Sequence, residues 1–230
     1  MGLKATPITD DLVQLTRFGL VNAYLVREED GFTLVDTMIS GSADGIVDAA
    51  SGAGGGIVRI VVTHAHSDHV GALAALADRL PDAELIASQR EARLMAGDRS
   101  PEPGEAEARL KGGIKKLDLS FDRTVGDGGQ IGSLRVVAAP GHTPGQIALL
   151  DSRDQSLLAA DAYSTLGGVA TSAGPYIRFP LPGLATWHRP TALETARKLR
   201  ALEPSLLAAG HGPVRRDPVQ AMDEAIARSA

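Results

Sequence analysis

The most constraining feature of the sequence is an apolar run that leads directly into a cluster of histidines. Residues 57–62 read IVRIVV, a continuous β-branched run that is typical of a buried strand. The run is followed almost at once by His64, His66, Asp68 and His69. Side chains that are two residues apart on an extended chain point the same way, so His64 and His66 are able to bind one ion. We predict that the chain then turns into a helix and carries Asp68 and His69 toward a second position.

Three further strand ends carry residues that bind metals in proteins. The run LRVVAAP leads through a glycine into His142, the run SLLAA ends at Asp161, and the run SLLAAG ends at His211. Taken singly, each of these residues is more simply explained as a turn, cap or loop residue. Together with the cluster at 64–69, they predict four chain segments that converge at one sheet edge and hold a pair of metal ions.

The amino-acid composition limits which metal ligands and which classes of function are available to the chain. The 230 residues include no cysteine, which excludes disulfides, thiolate zinc sites, cysteine nucleophiles and cysteine-held iron–sulfur clusters. Imidazole and carboxylate are then the ligands expected of zinc, iron or manganese sites. The net charge of -5 and the aromatic content of 3% disfavour nucleic-acid binding. No apolar run could cross a bilayer and no secretory leader is visible, so we predict a cytoplasmic, soluble protein. Its expected partner is a small-molecule substrate, and the chain is compatible with a homodimer.

The remaining pattern is one of short apolar strands that end in polar or glycine-rich turns, with helices between some of them. Strands are predicted at 12–16, 23–27, 32–35, 57–62, 83–87, 134–138, 147–150, 157–160 and 206–209. Helices are predicted at 42–50, from an N-cap at Ser67 to Leu80, at 191–202 and at 218–228. We interpret 88–118 as a helical insertion over one rim and 164–190 as a loop. The chain, 1–230, is predicted to be a single domain with two pseudo-halves, about 1–130 and 131–230.

These residues resemble the signature of the metallo-β-lactamase fold superfamily, H-x-H-x-D-H followed by a distant His, then Asp, then His. The resemblance covers nearly the whole chain. It implies an α/β (α+β) fold, a four-layer αβ/βα sandwich of two mixed β-sheets flanked by helices, with metals at one edge. It implies that one metal is held by His64, His66 and His142, that the other is held by Asp68, His69 and His211, and that Asp161 bridges the two.

A bridging Asp161 resembles the glyoxalase II, lactonase and phosphodiesterase branches, whereas the antibiotic-hydrolysing branches usually carry Cys or Ser there. The resemblance implies a hydrolase of a small ester, lactone or thioester with two divalent ions, zinc being expected and iron or manganese being alternatives. β-Lactam hydrolysis is expected as a side activity at best. A hydroxide shared by two metals would attack the substrate. Asp68 would act in catalysis by orienting the hydroxide or by passing its proton to the leaving group.

Three other functions remain open on the sequence. A mononuclear iron oxygenase, similar to the persulfide dioxygenases of the superfamily, keeps much of the same motif. A small phosphodiesterase would direct the same metal pair at a phosphoryl centre. A non-enzymatic protein with a structural metal is disfavoured, because structural sites normally close at four ligands whereas seven candidates are present here.

Residues outside the ligand set are candidates for supporting the metals or for binding substrate. Asp36 is predicted to orient a ligand histidine through its free ring N–H, with an ordinary turn residue as the alternative. Tyr163 is a candidate to contact a substrate carbonyl, or else to pack under the following loop. Tyr176 and Arg178 are predicted to line a partly apolar pocket wall with one cation for an anionic group. Charged residues of the insertion, such as Glu91, are predicted to form a solvated face.

Overall fold

A computed structural model of the chain describes residues 2–230. By its internal contacts the chain divides into two compact units. The first contains the residues up to Gly97 together with Ile114–Val125, and the second contains Asp98–Gly113 and Gly126–Ala230. Each unit has its own large mixed sheet and its own helices.

The first unit is built on a seven-stranded sheet whose strands lie side by side in chain order. Its strands are β1 (Lys4–Pro7), β2 (Leu12–Arg17), β3 (Val21–Glu28), β4 (Gly31–Val35), β5 (Ile57–Val62), β6 (Glu84–Ser88) and β7 (Arg123–Val125). The strands from β1 to β4 form an antiparallel meander, and those from β4 to β7 run parallel. Parallel neighbours need crossover connections, which helices supply in this unit. The sequence does not predict β1 and β7, because both are short edge strands with polar residues.

The predicted helix that begins at Ser67 is broken in two at Gly71. The N–H of Gly71 donates to the carbonyl of Met38 at 2.7 Å instead of to its own helix. A Cβ on Gly71 would lie 2.5 Å from the backbone nitrogen of Ser40, so only glycine allows this close approach. The N-cap of the first piece is His66 rather than the predicted Ser67. The helices of this unit are α1 (Ala43–Gly52), α2 (Ser67–Val70), α3 (Leu73–Arg79) and α4 (Gln89–Ala96).

The prediction of a helical insertion at 88–118 is wrong for most of that segment. Only α4 is helical, and from 97 to 122 the described chain has no helix and no strand longer than an isolated bridge. The helix ends at Gly97, whose left-handed backbone (φ 99°) is typical of a helix C-terminus. Pro101 and Pro103 follow closely and disfavour continuation as a helix, because proline within a helix removes a backbone hydrogen bond. The segment is also divided between the two units.

The second unit contains a six-stranded sheet and a two-stranded ribbon. Its strands are β8 (Gln130–Ile131), β9 (Leu134–Ala138), β10 (Ile147–Asp151), β11 (Ser156–Ala160), β12 (Tyr163–Ser164), β13 (Ala170–Thr171), β14 (Leu206–Ala209) and β15 (Arg215–Arg216). Its helices are α5 (Leu181–Ala185), α6 (Arg189–Arg200) and α7 (Val219–Ser229). The six-stranded sheet has the order β15-β14-β11-β10-β9-β8, and β12 pairs with β13 in the ribbon. Only β11 and β14 are parallel neighbours in the large sheet.

The segment at 164–190, predicted as a loop, contains β13 and α5, and α6 begins within it at Arg189. The helix starts earlier than predicted because His188 caps it. Nδ1 of His188 accepts a hydrogen bond from the N–H of Thr191, and Pro190 lies in the first turn, where no N–H is needed. Pro190, which the sequence pattern places in the loop, therefore belongs to the helix.

Apolar side chains from the sheet and helices of the second unit form a common core. Its large members are Val137, Leu150, Leu157, Tyr163, Leu199, Leu207 and Met222. The two large mixed sheets with their helices confirm the predicted α/β class. Among the described residues, no helix has the length and apolar character needed to span a lipid bilayer.

Candidate metal centre

Three buried histidines of the first unit lie in and just after the turn that follows β5. His64 and His69 are fully buried, and His66 is 3% exposed. The ring centroids of His64 and His69 are 4.0 Å apart, and those of His64 and His66 are 4.9 Å apart. Asp68, in the first turn of α2, keeps 35% of its side chain exposed and places Oδ2 4.0 Å from Nε2 of His69. The predicted ligands of this segment are therefore gathered where a central strand passes into a helix.

Asp36 holds the ring of His69 from the end of β4. Its carboxylate accepts the backbone N–H of Thr63 at 2.8 Å and the Thr63 hydroxyl at 2.7 Å, and it lies 2.7 Å from Nδ1 of His69. Ligand atoms of Asp36, His64 and His69 lie within 4.8 Å of one another. Because the carboxylate is already engaged by these hydrogen bonds, the geometry favours an orienting role for Asp36 over direct ligation.

Hydrogen bonds also define the tautomers of two of these histidines. The Thr63 hydroxyl donates its one proton to Asp36, so it accepts from Nδ1 of His64, which is 3.1 Å away. Nδ1 of His69 likewise donates to Asp36. We infer that Nε2 is the unprotonated nitrogen of both rings, and Nε2 is buried in both residues. A neutral imidazole that presents a buried Nε2 has the chemistry of a metal ligand.

Glu91 is a functional candidate that sequence reasoning missed. It is fully buried, and Oε2 accepts the N–H of Ala65 at 2.8 Å. The predicted solvated face is wrong here, since Glu91 is 0% exposed and its neighbour Arg90 is 6% exposed. The spacing Ser88-x-x-Glu91 is a signal for a helix N-terminus, and Ser88 does cap α4 through the N–H of Glu91. No local signal indicates the contact with Ala65.

In the second unit, His142 follows β9 in a turn that requires glycine at position 141. Gly141 has φ +134°, and a Cβ there would lie 2.4 Å from the backbone of Ala192 in α6. The carbonyl of Gly141 accepts the N–H of His188, and the carbonyl of His142 accepts the N–H of Trp187, both at 2.9 Å. The turn is thus fastened to the start of α6 by backbone hydrogen bonds.

The ring of His142 is oriented by Thr186. The Thr186 hydroxyl lies 2.8 Å from the carbonyls of both Ser172 and Pro182, to which it donates. It therefore accepts from Nδ1 of His142, which is 3.0 Å away. By the reasoning applied to the first unit, we infer that Nε2 is the unprotonated nitrogen of His142.

Asp161 and His211 come together because β11 and β14 are parallel neighbours and end at the same edge of the sheet. Oδ2 of Asp161 is 3.2 Å from Nε2 of His211 and 3.5 Å from Nε2 of His142. All three side chains are buried. The structure thus gathers the three predicted ligands of the second unit, with the carboxylate of Asp161 close to both imidazoles.

Tyr163 is a core residue rather than a substrate contact. It is fully buried, and its hydroxyl donates to the carbonyl of Ala196 in α6 at 2.8 Å. Burial raises the pKa of this phenol well above its usual range. The prediction that the hydroxyl contacts a substrate carbonyl is wrong, and the alternative of packing is correct. Ala160 has a left-handed backbone (φ 48°) and the chain turns there, so the spacing from Asp161 does not act as it would in a strand.

Replacing Tyr163 with Phe is expected to lower the free energy of unfolding by about 1 kcal/mol, because one buried hydrogen bond is lost while the ring stays packed. For a chain of this size, the thermal midpoint should fall by roughly 2–4 °C. Calorimetry and kcat/KM measured on the same preparation would check this, and kcat/KM should not change. A large loss of kcat/KM at unchanged stability would instead place Tyr163 at the substrate.

The segment before α5 is braced by its own polar groups. The hydroxyl of Tyr176 and the guanidinium of Arg178 both donate to the carbonyl of Gly167, each at 3.0 Å. The substrate-binding roles of Tyr176 and Arg178 remain predictions. Phe179 is 8% exposed, and its ring centroid lies 5.1 Å from that of His211. An aromatic side chain therefore packs beside one of the candidate ligands.

Comparison with known proteins identifies the family to which this chain belongs. The family model described as the metallo-beta-lactamase superfamily matches residues 16–211. The chain belongs to this superfamily. Its relatives there are metal-dependent hydrolases, so the prediction of an enzyme of this class is confirmed.

Curated relatives extend over most of the chain. YobT of Bacillus subtilis (strain 168), an uncharacterized protein, is 41% identical over 210 residues, which cover 91% of this chain and 90% of YobT. YflN of the same organism, a probable metallo-hydrolase, is 29% identical over 215 residues, which cover 84% and 81%. A hydroxyacylglutathione hydrolase of Synechococcus is 31% identical over 140 residues, which cover 60% of this chain and 47% of that enzyme.

Solved structures share the fold. The DIM-1 metallo-beta-lactamase superposes with a TM-score of 0.74 at 16% identity, covering 100% of this chain and 99% of that chain. TTHA1623, solved in a di-iron-bound form, superposes with a TM-score of 0.67 at 24% identity, covering 90% and 94%. These likenesses confirm the predicted fold of two mixed sheets flanked by helices.

Proposed function

We propose that this chain is a binuclear hydrolase of small esters, lactones or thioesters. One observation carries the proposal: His64, His69 and His142 are each hydrogen-bonded at Nδ1 by a neighbouring polar side chain. Each ring is thereby oriented to bind a metal through Nε2. A neighbouring polar group that fixes the tautomer and the direction of the ring is the usual partner of a metal-binding histidine.

The proposed ligand set follows the superfamily signature. It assigns His64, His66 and His142 to one ion, Asp68, His69 and His211 to the other, and Asp161 to both. Nitrogen and oxygen donors without thiolate suit Zn²⁺, which we propose as the native metal. Iron is the competing choice, because the related fold of TTHA1623 has been solved in a di-iron-bound form.

A pair of bound divalent ions would lower the pKa of a shared water toward neutrality and polarise a carbonyl group. The residues of this chain would then direct the reaction. Asp68 keeps part of its side chain in contact with solvent, so we propose that it accepts a proton from the attacking water and returns it to the leaving group. No side-chain nucleophile is needed, which is consistent with the absence of cysteine.

The substrate class rests on Asp161 and on the relatives. A carboxylate at the position proposed to bridge two ions resembles the glyoxalase II, lactonase and phosphodiesterase branches, and the first two of these act on acyl groups. The Synechococcus relative is named for hydrolysis of an acylated glutathione, but the match covers 47% of that enzyme. The substrate that we propose for this chain therefore has an acyl group, as that enzyme's substrate does, but need not contain glutathione. Phe179, beside His211, would present an apolar surface to such an acyl group.

Elemental analysis of the protein as purified tests the proposal most directly. We expect two zinc ions for each chain, loss of hydrolysis after chelation, and recovery when Zn²⁺ is restored. A panel of lactones, thioesters and phosphodiesters then separates the substrate classes. Full activity with a single ion would overturn the binuclear site, and iron with oxygen uptake on glutathione persulfide would establish the oxygenase instead.

Replacing Asp36 with Asn is expected to weaken metal binding by about 10–100-fold, because the ring of His69 loses its charged partner at Nδ1. Competition with a coloured chelator would measure the affinity. Asp48→Asn, on the exposed face of α1, is the matched control and should bind metal as the wild type does. Equal affinities for the two variants would rule out an orienting role for Asp36.

A further inference from the structure

We propose that Glu91 is a positioning residue that holds the backbone between His64 and His66 in the geometry that a metal requires. The inference rests on the metal-binding role proposed for these two histidines. Glu91 is fully buried, and its Oε2 accepts the N–H of Ala65, the residue between them, at 2.8 Å. It contacts the turn through the backbone and would act on the metal only through its neighbours.

Both polar backbone groups of Ala65 are fastened by residues that are distant in the sequence. Its N–H is held by Glu91, and its carbonyl accepts the N–H of Lys115 at 3.0 Å. The next residue, His66, forms an isolated antiparallel bridge with Ile114. The peptide units on either side of Ala65 therefore have fixed directions, and these units determine how the two imidazoles are presented.

Strand pairing brings Glu91 next to the histidine turn. Glu91 lies in the first turn of α4, where its own N–H donates to the hydroxyl of Ser88 at 3.1 Å. Ser88 ends β6, which pairs in parallel with β5, the strand that leads into the histidine turn. The carboxylate and the turn that it holds thus extend from neighbouring strands of one sheet.

A backbone N–H that is buried without an acceptor costs free energy, and Glu91 supplies the acceptor for the buried N–H of Ala65. The Glu91 side chain has the length to reach this N–H from α4, and its oxygen accepts the hydrogen bond whether or not the group is charged. Metal sites tolerate errors of only about 0.2 Å in ligand distance. A small displacement of the peptide at Ala65 would therefore affect metal binding more than it affects the rest of the fold.

Co²⁺ binding to the full chain, followed by its visible absorption, tests the inference. Glu91→Ala should weaken Co²⁺ binding by about tenfold or more and change the absorption bands. Glu91→Gln keeps the reach and one acceptor oxygen, so it should restore the wild-type spectrum. Glu91→Asp keeps the charge but withdraws the oxygen by one methylene, so its spectrum should be altered as in the alanine variant.

Ser88→Ala is the matched control, because it removes the cap of the same helix and leaves the bond to Ala65 in place. It should lower the thermal midpoint without changing the Co²⁺ spectrum. A wild-type spectrum in Glu91→Asp, or equal spectral changes in Ser88→Ala and the Glu91 variants, would overturn the inference, even if Glu91→Ala fails to fold. Failure of the wild-type protein to bind Co²⁺ would instead overturn the proposed function.

Discussion

Replacing Asp161 with Ala is expected to lower kcat/KM by about 1000-fold or more, equivalent to about 4 kcal/mol of transition-state stabilisation. Asp161 is buried, and its Oδ2 lies within 3.5 Å of Nε2 of both His142 and His211. Under the proposed function its carboxylate binds both ions, so its loss would release at least one of them. Elemental analysis should show the missing ion in the same sample that has lost turnover.

Two companion variants make the Asp161 result specific. Asp161→Asn keeps the size of the side chain but removes its charge, and it should lose activity to a similar extent. Glu224→Ala removes a carboxylate from the exposed face of α7 and should leave kcat/KM unchanged. Substantial hydrolysis by a well-folded Asp161→Ala protein would show that the carboxylate does not belong to the catalytic centre.

Replacing Gly141 with Ala is expected to lower the free energy of unfolding by about 3 kcal/mol, the largest effect on stability that we predict. Two penalties combine. The left-handed backbone (φ +134°) disfavours any residue with a Cβ, and that Cβ would lie 2.4 Å from backbone atoms of Ala192, which cannot move without displacing α6. Denaturant unfolding of the metal-free protein would measure the loss without a contribution from metal binding.

Gly126 provides the control for Gly141. A Cβ at Gly126 would meet no atom within 4 Å, and Gly126 is not among the glycines with positive φ. Gly126→Ala should therefore leave stability unchanged or raise it slightly, by restricting the unfolded chain. Because Gly141 directs His142, Gly141→Ala should also weaken metal binding. Equal stabilities for the two variants would mean that α6 accommodates the added methyl group.

Elements with a strong local pattern could be predicted from the sequence. The continuous β-branched run of β5 has the predicted bounds, and so does β14. Helix α1 lies within two residues of its predicted ends. In these segments the apolar periodicity and the flanking turn residues agree with the final packing, so propensity and tertiary structure favour the same conformation.

Local sequence patterns did not predict the conformation where residues far apart in the sequence make contact. The helix after His66 is interrupted because Gly71 bonds to Met38 and packs against Ser40, neither of which is visible in the local pattern. For Tyr163 the sequence leaves a substrate contact and packing as alternatives, and the turn at Ala160 directs the side chain into the core against α6. In each case a local signal was present, and a contact with residues far along the chain decided the conformation.

For the candidate metal centre, the sequence by itself determined which donor residues are present and that each follows a strand. Spacing along an extended chain and the absence of cysteine were sufficient for that. Only the tertiary structure decided which groups orient the donors. Glu91 reaches Ala65 across 26 residues, Asp36 reaches His69 across 33, and Thr186 reaches His142 across 44. Such contacts depend on which strands become neighbours and on how helices pack against them, and no local pattern encodes that arrangement.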